Sequence, residues 1–591
     1  MNTASIHEEA NLGRVYDQKL VGRLLTYVKP YTRTVIISLV LLLIGAGLEQ
    51  LMPYLTKRAI DNHIAKNDFS GLIWIVLTYL GVALVVTGAR IAQTLITGRV
   101  GENVMYDLRR EVFHHLQTQD SSFFDRNPVG RLVTRVTSDV QTLSEIFSSG
   151  IVVVLGDLLT LIAIMIAMFW MNWQLALVAI SVIPLLFFAS LYFRLKLRDA
   201  FRDVRVRVAA INAFLQEHLA GMRLVQLFNH QGPADTNFHG VNARTRAAHL
   251  QTVALFSFFF PLMEIIGALT TALILMRGGV LILDDALTFG ALVAFFQYSE
   301  RFFRPIRDLT EKYNIFQAGM ASAERVFNLL DTEVNIREPE APLVCKRIEG
   351  AVQFKDVSFA YTDENYVLKD VSFAIKPGER VAIVGATGAG KTTVSNLIPR
   401  FYETTRGQVL VDDMDVRDWC LHELRSNIAI VQQDVVLFRG TIRDNITLGD
   451  DFSDEEVERA AKMLQADQFI QSLPKGYDEP VMERGATLSS GQKQLIAFTR
   501  ALIRNPSVLI LDEATSSVDM ETEALIQQAM ETLFKDRTSI VIAHRLATIR
   551  RADTILVFHK GALAEQGSHE ELIAADGIYK RLYQLQYGEA A

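Results

Sequence analysis

Cysteine is nearly absent from this chain: Cys345 and Cys420 are the only two in 591 residues. So few thiols exclude a disulfide framework, and both read as inert side chains. A large excess of one charge is missing too. The formal net charge is −7, which leaves no electrostatic footprint for wholesale nucleic-acid binding. The opening stretch, roughly the first 30 residues, is charged and has no apolar run, so no secretory signal is expected there.

Hydrophobicity, by contrast, is plentiful. Hydrophobic residues make up 50% of the chain and mean hydropathy is +0.20. Before about residue 303 they gather in long runs, and later they alternate with charges as in a globular α/β protein. The length alone suggests two or more domains.

Five runs, 35–51, 72–86, 151–170, 175–193 and 253–276, are long enough for a bilayer core of about 30 Å. The second extends past Arg90. A sixth, 286–303, is less apolar and is added because it completes an even number. Trp170 and Trp173 flank the short Met171-Asn172 connection like interfacial anchors. Loops of roughly 50 residues follow the second and fourth runs and carry Arg109, Arg110, Arg126, Arg131, Arg135, Arg198, Arg202, Arg205 and Arg207. The positive-inside rule places these loops and both termini in the cytoplasm, with Lys57 and Arg58 running against it. Residues 19–31, with Leu20, Leu24, Leu25 and Val28 on one face, read as an amphipathic helix at the inner surface. Ionisable groups inside the spans are costly. Glu49 and Arg90 are expected to pair with neighbours, Asp157 stays open, and mid-span Glu264 is the best candidate to face a cavity.

Past a connector at 328–347, which contains Pro339 and Pro342, the pattern changes to short strands, turns and helices. The strand Val381-Ala382-Ile383-Val384 runs into Gly385-Ala386-Thr387-Gly388-Ala389-Gly390-Lys391-Thr392 and then a helix-compatible stretch. Strand, glycine-rich loop and helix make a phosphate cradle. The glycines let the backbone N–H groups face inward, Lys391 can reach β- and γ-phosphates, and Thr392 can offer its hydroxyl to Mg²⁺. The chain is expected to bind ATP or GTP. Roughly 120 residues on, a second strand, 508–511, ends in Asp512-Glu513. Asp512 suits Mg²⁺, and Glu513 can polarise the attacking water.

Between these motifs lies Leu488-Ser489-Ser490-Gly491-Gln492-Lys493-Gln494, which resembles the signature peptide of ATP-binding cassette (ABC) proteins. The whole chain resembles a half-size ABC exporter of the multidrug and lipid-flippase type. That resemblance implies a helical membrane domain of six transmembrane spans followed by a C-terminal α/β P-loop ATPase domain. The boundaries would be 1–33 for the N-terminal segment, 34–327 for the membrane domain, 328–347 for the linker and 348–591 for the cassette.

The resemblance also implies roles for residues. ATP would be held by Gly385 to Thr392 and by Thr393, with Tyr361 stacking on adenine. Thr392, Gln433 and Asp512 would bind Mg²⁺. Glu513 would be the general base, with His544 at the γ-phosphate and Gln433 sensing the membrane domain. Ser489, Gly491, Gln492 and Asp519 would serve the nucleotide of a second cassette packed head to tail, and Glu483-Arg484-Gly485 would feel the opposite subunit's loops. Segments 123–130 and 217–223 resemble the short transverse helices that dock on cassettes.

The expected activity is ATP-driven export of a hydrophobic or amphipathic small molecule or lipid across the inner (plasma) membrane, with no nucleic-acid partner. A nucleotide-gated channel or regulatory subunit of the same architecture is the alternative. One departure stands out: Ser490 replaces the first of two signature glycines, where backbone must approach phosphate closely. With Lys391, Asp512, Glu513 and His544 intact, this favours one member of a heterodimer and leaves a homodimer open.

Overall fold

The computed structural model describes residues 18–147, 152–339, 347–362, 365–482, 485–512, 520–543 and 546–587. The chain divides into two compact units. One consists of Met1–His115 and Gly130–Thr332, the other of Leu116–Val129 and Glu333–Ala591.

The first unit is helical. Among the described residues, five helical stretches are long and apolar enough to cross a membrane: Gln18–Ile64, Phe69–Thr118, Val154–Met171, Trp173–Ala220 and Gln231–Leu283. The sixth expected span falls at the start of a 42-residue helix, Phe289–Leu330, that is less apolar. Trp170 and Trp173 are 76% and 60% exposed, on either side of Asn172, whose side chain caps the next helix through Leu175 N. The apolar core of this unit gathers Ile164, Leu175, Ile266, Ile274, Phe295 and Tyr298.

The long polar stretches expected as loops are mostly helical. Phe69–Thr118 is one helix of 50 residues, and Gln231–Leu283 is another of 53. Hydropathy marks where a helix leaves lipid, not where it ends. Through 69–118 no proline interrupts the backbone ladder, so the helix continues into water.

The first span, in contrast, breaks at Gln50, between helices Thr32–Glu49 and Leu51–Arg58. Pro53 has no N–H to give the Glu49 carbonyl four residues back. Arg301 donates to that carbonyl instead, at 2.8 Å, and Tyr298 donates to the Gln50 carbonyl at 2.6 Å. The Glu49 carboxylate pairs with Arg90 at 3.1 Å. Glu264 is exposed on its helix.

Towards the other end of the Phe289–Leu330 helix, Asp139 is buried and accepts from Arg325, Ser322 and Arg135. Where the same helix begins, Asp61 accepts from Thr288 Oγ1 at 2.6 Å and from Gly290 N at 2.8 Å.

The second unit is α/β. Its strands are β1 (Val352–Ala360), β2 (Tyr366–Ile375), β3 (Arg380–Gly385), β4 (Arg406–Val411), β5 (Met414–Asp415) and β6 (Ile428–Val431). There follow β7 (Gly440–Thr441), β8 (Pro480–Val481), β9 (Val508–Asp512), β10 (Thr538–Ile542), β11 (Thr554–His559) and β12 (Ala562–Gly567). An antiparallel sheet runs β2-β1-β4-β5, and a six-stranded sheet runs β12-β11-β3-β10-β9-β6. In the latter, β11, β3, β10, β9 and β6 are parallel, and β12 closes one edge antiparallel. The central strands are continuous apolar runs, as burial on both faces requires.

Candidate functional site

At the end of β3 the chain turns through Gly385, Gly388 and Gly390, with φ of 153°, 80° and 100°, into the helix Lys391–Leu397. A Cβ on Gly390 would lie 2.6 Å from Leu368 Cδ2, and one on Gly385 would lie 2.3 Å from the Phe558 carbonyl oxygen. The loop is pressed against β2 and β11 so closely that side chains are excluded at both positions. On its open side, a Cβ on Gly388 would meet nothing within 4 Å. Lys391 is buried, and its Nζ donates to the Gly385 and Ala386 carbonyls at 2.7 and 3.2 Å. Burial lowers its pKa, and the Asp512 carboxylate opposes that shift. A buried ammonium held against a glycine-rich turn at a helix start, where backbone N–H groups can also serve, suits a polyphosphate. Ala389 is buried behind it, Ala386 and Thr387 complete the turn, and Thr393 anchors the first helical turn.

The register of the parallel sheet brings the remaining groups to the same edge. Ile542 of β10 lies opposite Ile383 on one side and Asp512 on the other, while Leu511 lies opposite Val431. The carboxyl ends of β3, β10, β9 and β6 therefore line up, which is where open α/β sheets bind ligands. Thr392 and Gln433 are exposed there, and Asp512 is half-buried. A hydroxyl, an amide oxygen and a carboxylate are the hard oxygen donors that Mg²⁺ prefers. Glu513 follows Asp512 directly and His544 follows Ile542 by two residues. Glu513, Asp519, His544, Glu483 and Arg484 all lie outside the described residues.

Tyr361, just after β1, is 41% exposed. Its ring is held edge-on by Phe359, at 4.8 Å between centroids, and by Tyr402, at 5.2 Å and 88°. Its hydroxyl lies 3.1 Å from Thr393 Oγ1 on the phosphate-loop helix. Tyr402 in turn donates to Asp125 Oδ2 at 2.6 Å. Asp125 sits on the short helix Ser121–Arg126, within the first segment expected to dock on a cassette. Asp120 caps that helix through Phe123 N and accepts from Asn335 at 3.0 Å, and Phe123 is buried. Sequence reasoning did not single out Tyr402. Its bond to Asp125 spans 277 residues, a separation at which no local pattern signals a contact.

The signature peptide opens the helix Ser490–Ile503. Ser489 is the N-cap: its hydroxyl accepts from Gln492 N, and the Gln492 side chain accepts from Ser489 N. Ser490 is exposed at the first helical position and Gly491 is buried. Further along, Arg500 donates to the carbonyls of Asn445 and Val436, and Arg504 to those of Ile446 and Thr447. Those contacts tie this end of the signature helix to the helix Ile442–Thr447 and, through Val436, to the loop that carries Gln433, and the motif alone gives no sign of them. The second expected docking segment, 217–223, spans the end of the helix Ile183–Ala220, a turn at Gly221 and the start of the short helix Met222–Leu227.

Comparison with known proteins agrees with this geometry. A family profile described as the ABC transporter transmembrane region matches residues 35–306. A second, described as ABC transporter, matches 368–516. An uncharacterized ABC transporter ATP-binding protein, YknV of Bacillus subtilis (strain 168), is 39% identical over 571 residues, covering 96% of this chain and 94% of that protein. Proteins named ATP-dependent lipid A-core flippase are similar too. The one from Syntrophus aciditrophicus (strain SB) is 37% identical, covering 96% of this chain and 94% of its own. That of Thiobacillus denitrificans (strain ATCC 25259 / T1) is 35% identical, covering 96% and 99%.

Proposed function

This chain belongs to the ABC transporters as a half-size exporter, and on that basis we propose that it exports a hydrophobic or amphipathic small molecule or lipid by alternating access. As a member it is a multi-pass membrane protein that binds ATP and couples its hydrolysis to transport. It works across the inner (plasma) membrane, with both termini and the cassette in the cytoplasm. The flippase relatives, which carry lipid A-core by name, support an amphipathic cargo.

The observation that carries the reading is the common strand edge, where the Gly385–Gly390 loop, Lys391, Asp512 and the turn to Gln433 converge. The loop amides and Lys391 hold the phosphates, and Tyr361 presents its ring to the base. Thr392, Gln433 and Asp512 are the residues that would hold Mg²⁺, which neutralises phosphate charge when bound. Glu513 takes the proton of the attacking water, and His544 fixes the geometry around it. Ser489, Gly491, Gln492 and Asp519 face a nucleotide held by a second half-transporter. ABC exporters of this type work as dimers, and the Ser490 side chain at the capping helix favours a heterodimer.

Closure between two cassettes moves the spans only if ATP binds one arrangement more tightly than the other. The direct test is Glu513→Gln. Turnover should be abolished while ATP stays bound, and steady hydrolysis by the variant would remove Glu513 from its role.

A further inference from the structure

Tyr361 is not an isolated platform. It belongs to a continuous chain of contacts that starts on the first expected docking segment: Asp125 Oδ2 accepts from the Tyr402 hydroxyl at 2.6 Å, Tyr402 meets Tyr361 edge-on, and the Tyr361 hydroxyl meets Thr393. Phe359 closes the cluster, 5.7 Å from Tyr402 and 4.8 Å from Tyr361. Three rings in edge-to-face contact, at 86°, 88° and 66°, leave each little freedom to turn without moving the next. The Tyr402 hydroxyl is fixed just as firmly. Burial raises its pKa and the bond to Asp125 raises it further, so the phenol stays a neutral donor to a carboxylate.

Asp125 is held in place as well. Its helix is capped by Asp120, whose other oxygen accepts from Asn335, and buried Phe123 pins the same turn. The segment Leu116–Val129 joins compactly with the cassette, yet it continues the helix Phe69–Thr118 that begins in the second span. Asp125 of this segment thus lies one hydrogen bond and one ring contact away from the tyrosine offered to the base.

We propose that Tyr402 is a positioning residue through which the segment carrying Asp125 sets the orientation of the Tyr361 ring, and so the affinity for the adenine base. The proposal rests on the reading of Tyr361 as the adenine platform. By reciprocity, a base seated on Tyr361 strengthens the hold of Tyr402 on Asp125 and thereby the docking of that segment. The effect falls chiefly on the base: the phosphates are held by Lys391 and the glycine loop, which the Tyr361 ring reaches only through its hydroxyl at Thr393.

That specificity supplies the test. Dissociation constants of ATP and of inorganic tripolyphosphate, which has no base, are measured on the full-length chain in lipid nanodiscs, with Glu513→Gln in every sample to stop turnover. Tyr402→Phe keeps the ring and removes the hydroxyl, and Asp125→Ala removes its acceptor. Each should weaken ATP about three- to tenfold, the range expected for one charge-assisted hydrogen bond partly screened by water. The double variant should be no weaker than either single one, and tripolyphosphate should bind all of them alike. Equal losses for both ligands, multiplying losses in the double variant, or no loss of ATP affinity would each overturn the proposal. Lys391→Ala separates the two readings. If it leaves ATP and tripolyphosphate binding intact, the nucleotide site itself has been misassigned and the proposal falls with it. If it abolishes both while Tyr402→Phe changes nothing, only the positioning role is lost.

Discussion

Ser490 is the residue whose identity departs most from its neighbours' purpose. It occupies the first position of the Ser490–Ile503 helix, exposed, immediately after the N-cap. A phosphate approaching this helix N-terminus meets a side chain where glycine would leave bare backbone. Ser490→Gly should therefore raise steady-state ATPase activity of the assembled transporter, and no change or a fall would undercut the asymmetric-site reading. Lys391, Thr392 and the glycines were legible in the sequence because eight consecutive residues carry the whole phosphate cradle. Asp512 was legible because an apolar strand points to it. Asp125 was legible only as part of a segment expected to dock on cassettes; Tyr402 was not, and neither was the support that Arg301 gives the Glu49 carbonyl 252 residues away. A side chain whose partner lies hundreds of residues off looks like any surface tyrosine or arginine until the fold joins them.

Among elements, the helix Phe289–Leu330 does the most to hold its unit together. It meets Asp61 where it begins, the broken first span through Tyr298 and Arg301, and Asp139 through Ser322 and Arg325. Burial pushes the Asp139 carboxyl pKa up, but hydrogen bonds from Arg325 and Arg135 prevail and hold it below the usual carboxylate range. Its contribution is thus present above that range and fades as pH falls through the depressed value. Asp139→Asn removes the charge and leaves Arg325 half-buried without its anion, at a cost of about 2 kcal/mol. A melting temperature lower by a few degrees at neutral pH is expected in thermal unfolding, and an unchanged one would show the cluster to be energetically idle. The sequence showed this element only as a weakly apolar sixth run, and read the polar continuations of the second and fourth runs as loops. Hydropathy reports the solvent around a helix, and these helices outlast the lipid.

At the scale of the whole molecule, the proposed function requires ATP binding at the cassette to change the arrangement of the membrane helices. Where the chain turns between its first two spans, Asp61 accepts from Thr288 and from Gly290 N at the start of the last. If ATP binding opens the outer side, those two elements part. Nitroxide labels at exposed Asn67 and Asp285 bracket that junction, once Cys345 and Cys420 are replaced by serine. The decisive measurement is the distance between these labels by pulsed electron resonance, on the Glu513→Gln chain in vesicles with its partner half-transporter, with and without ATP and Mg²⁺. A longer distance with nucleotide is the predicted result, and superimposable distributions would contradict an ATP-driven exporter.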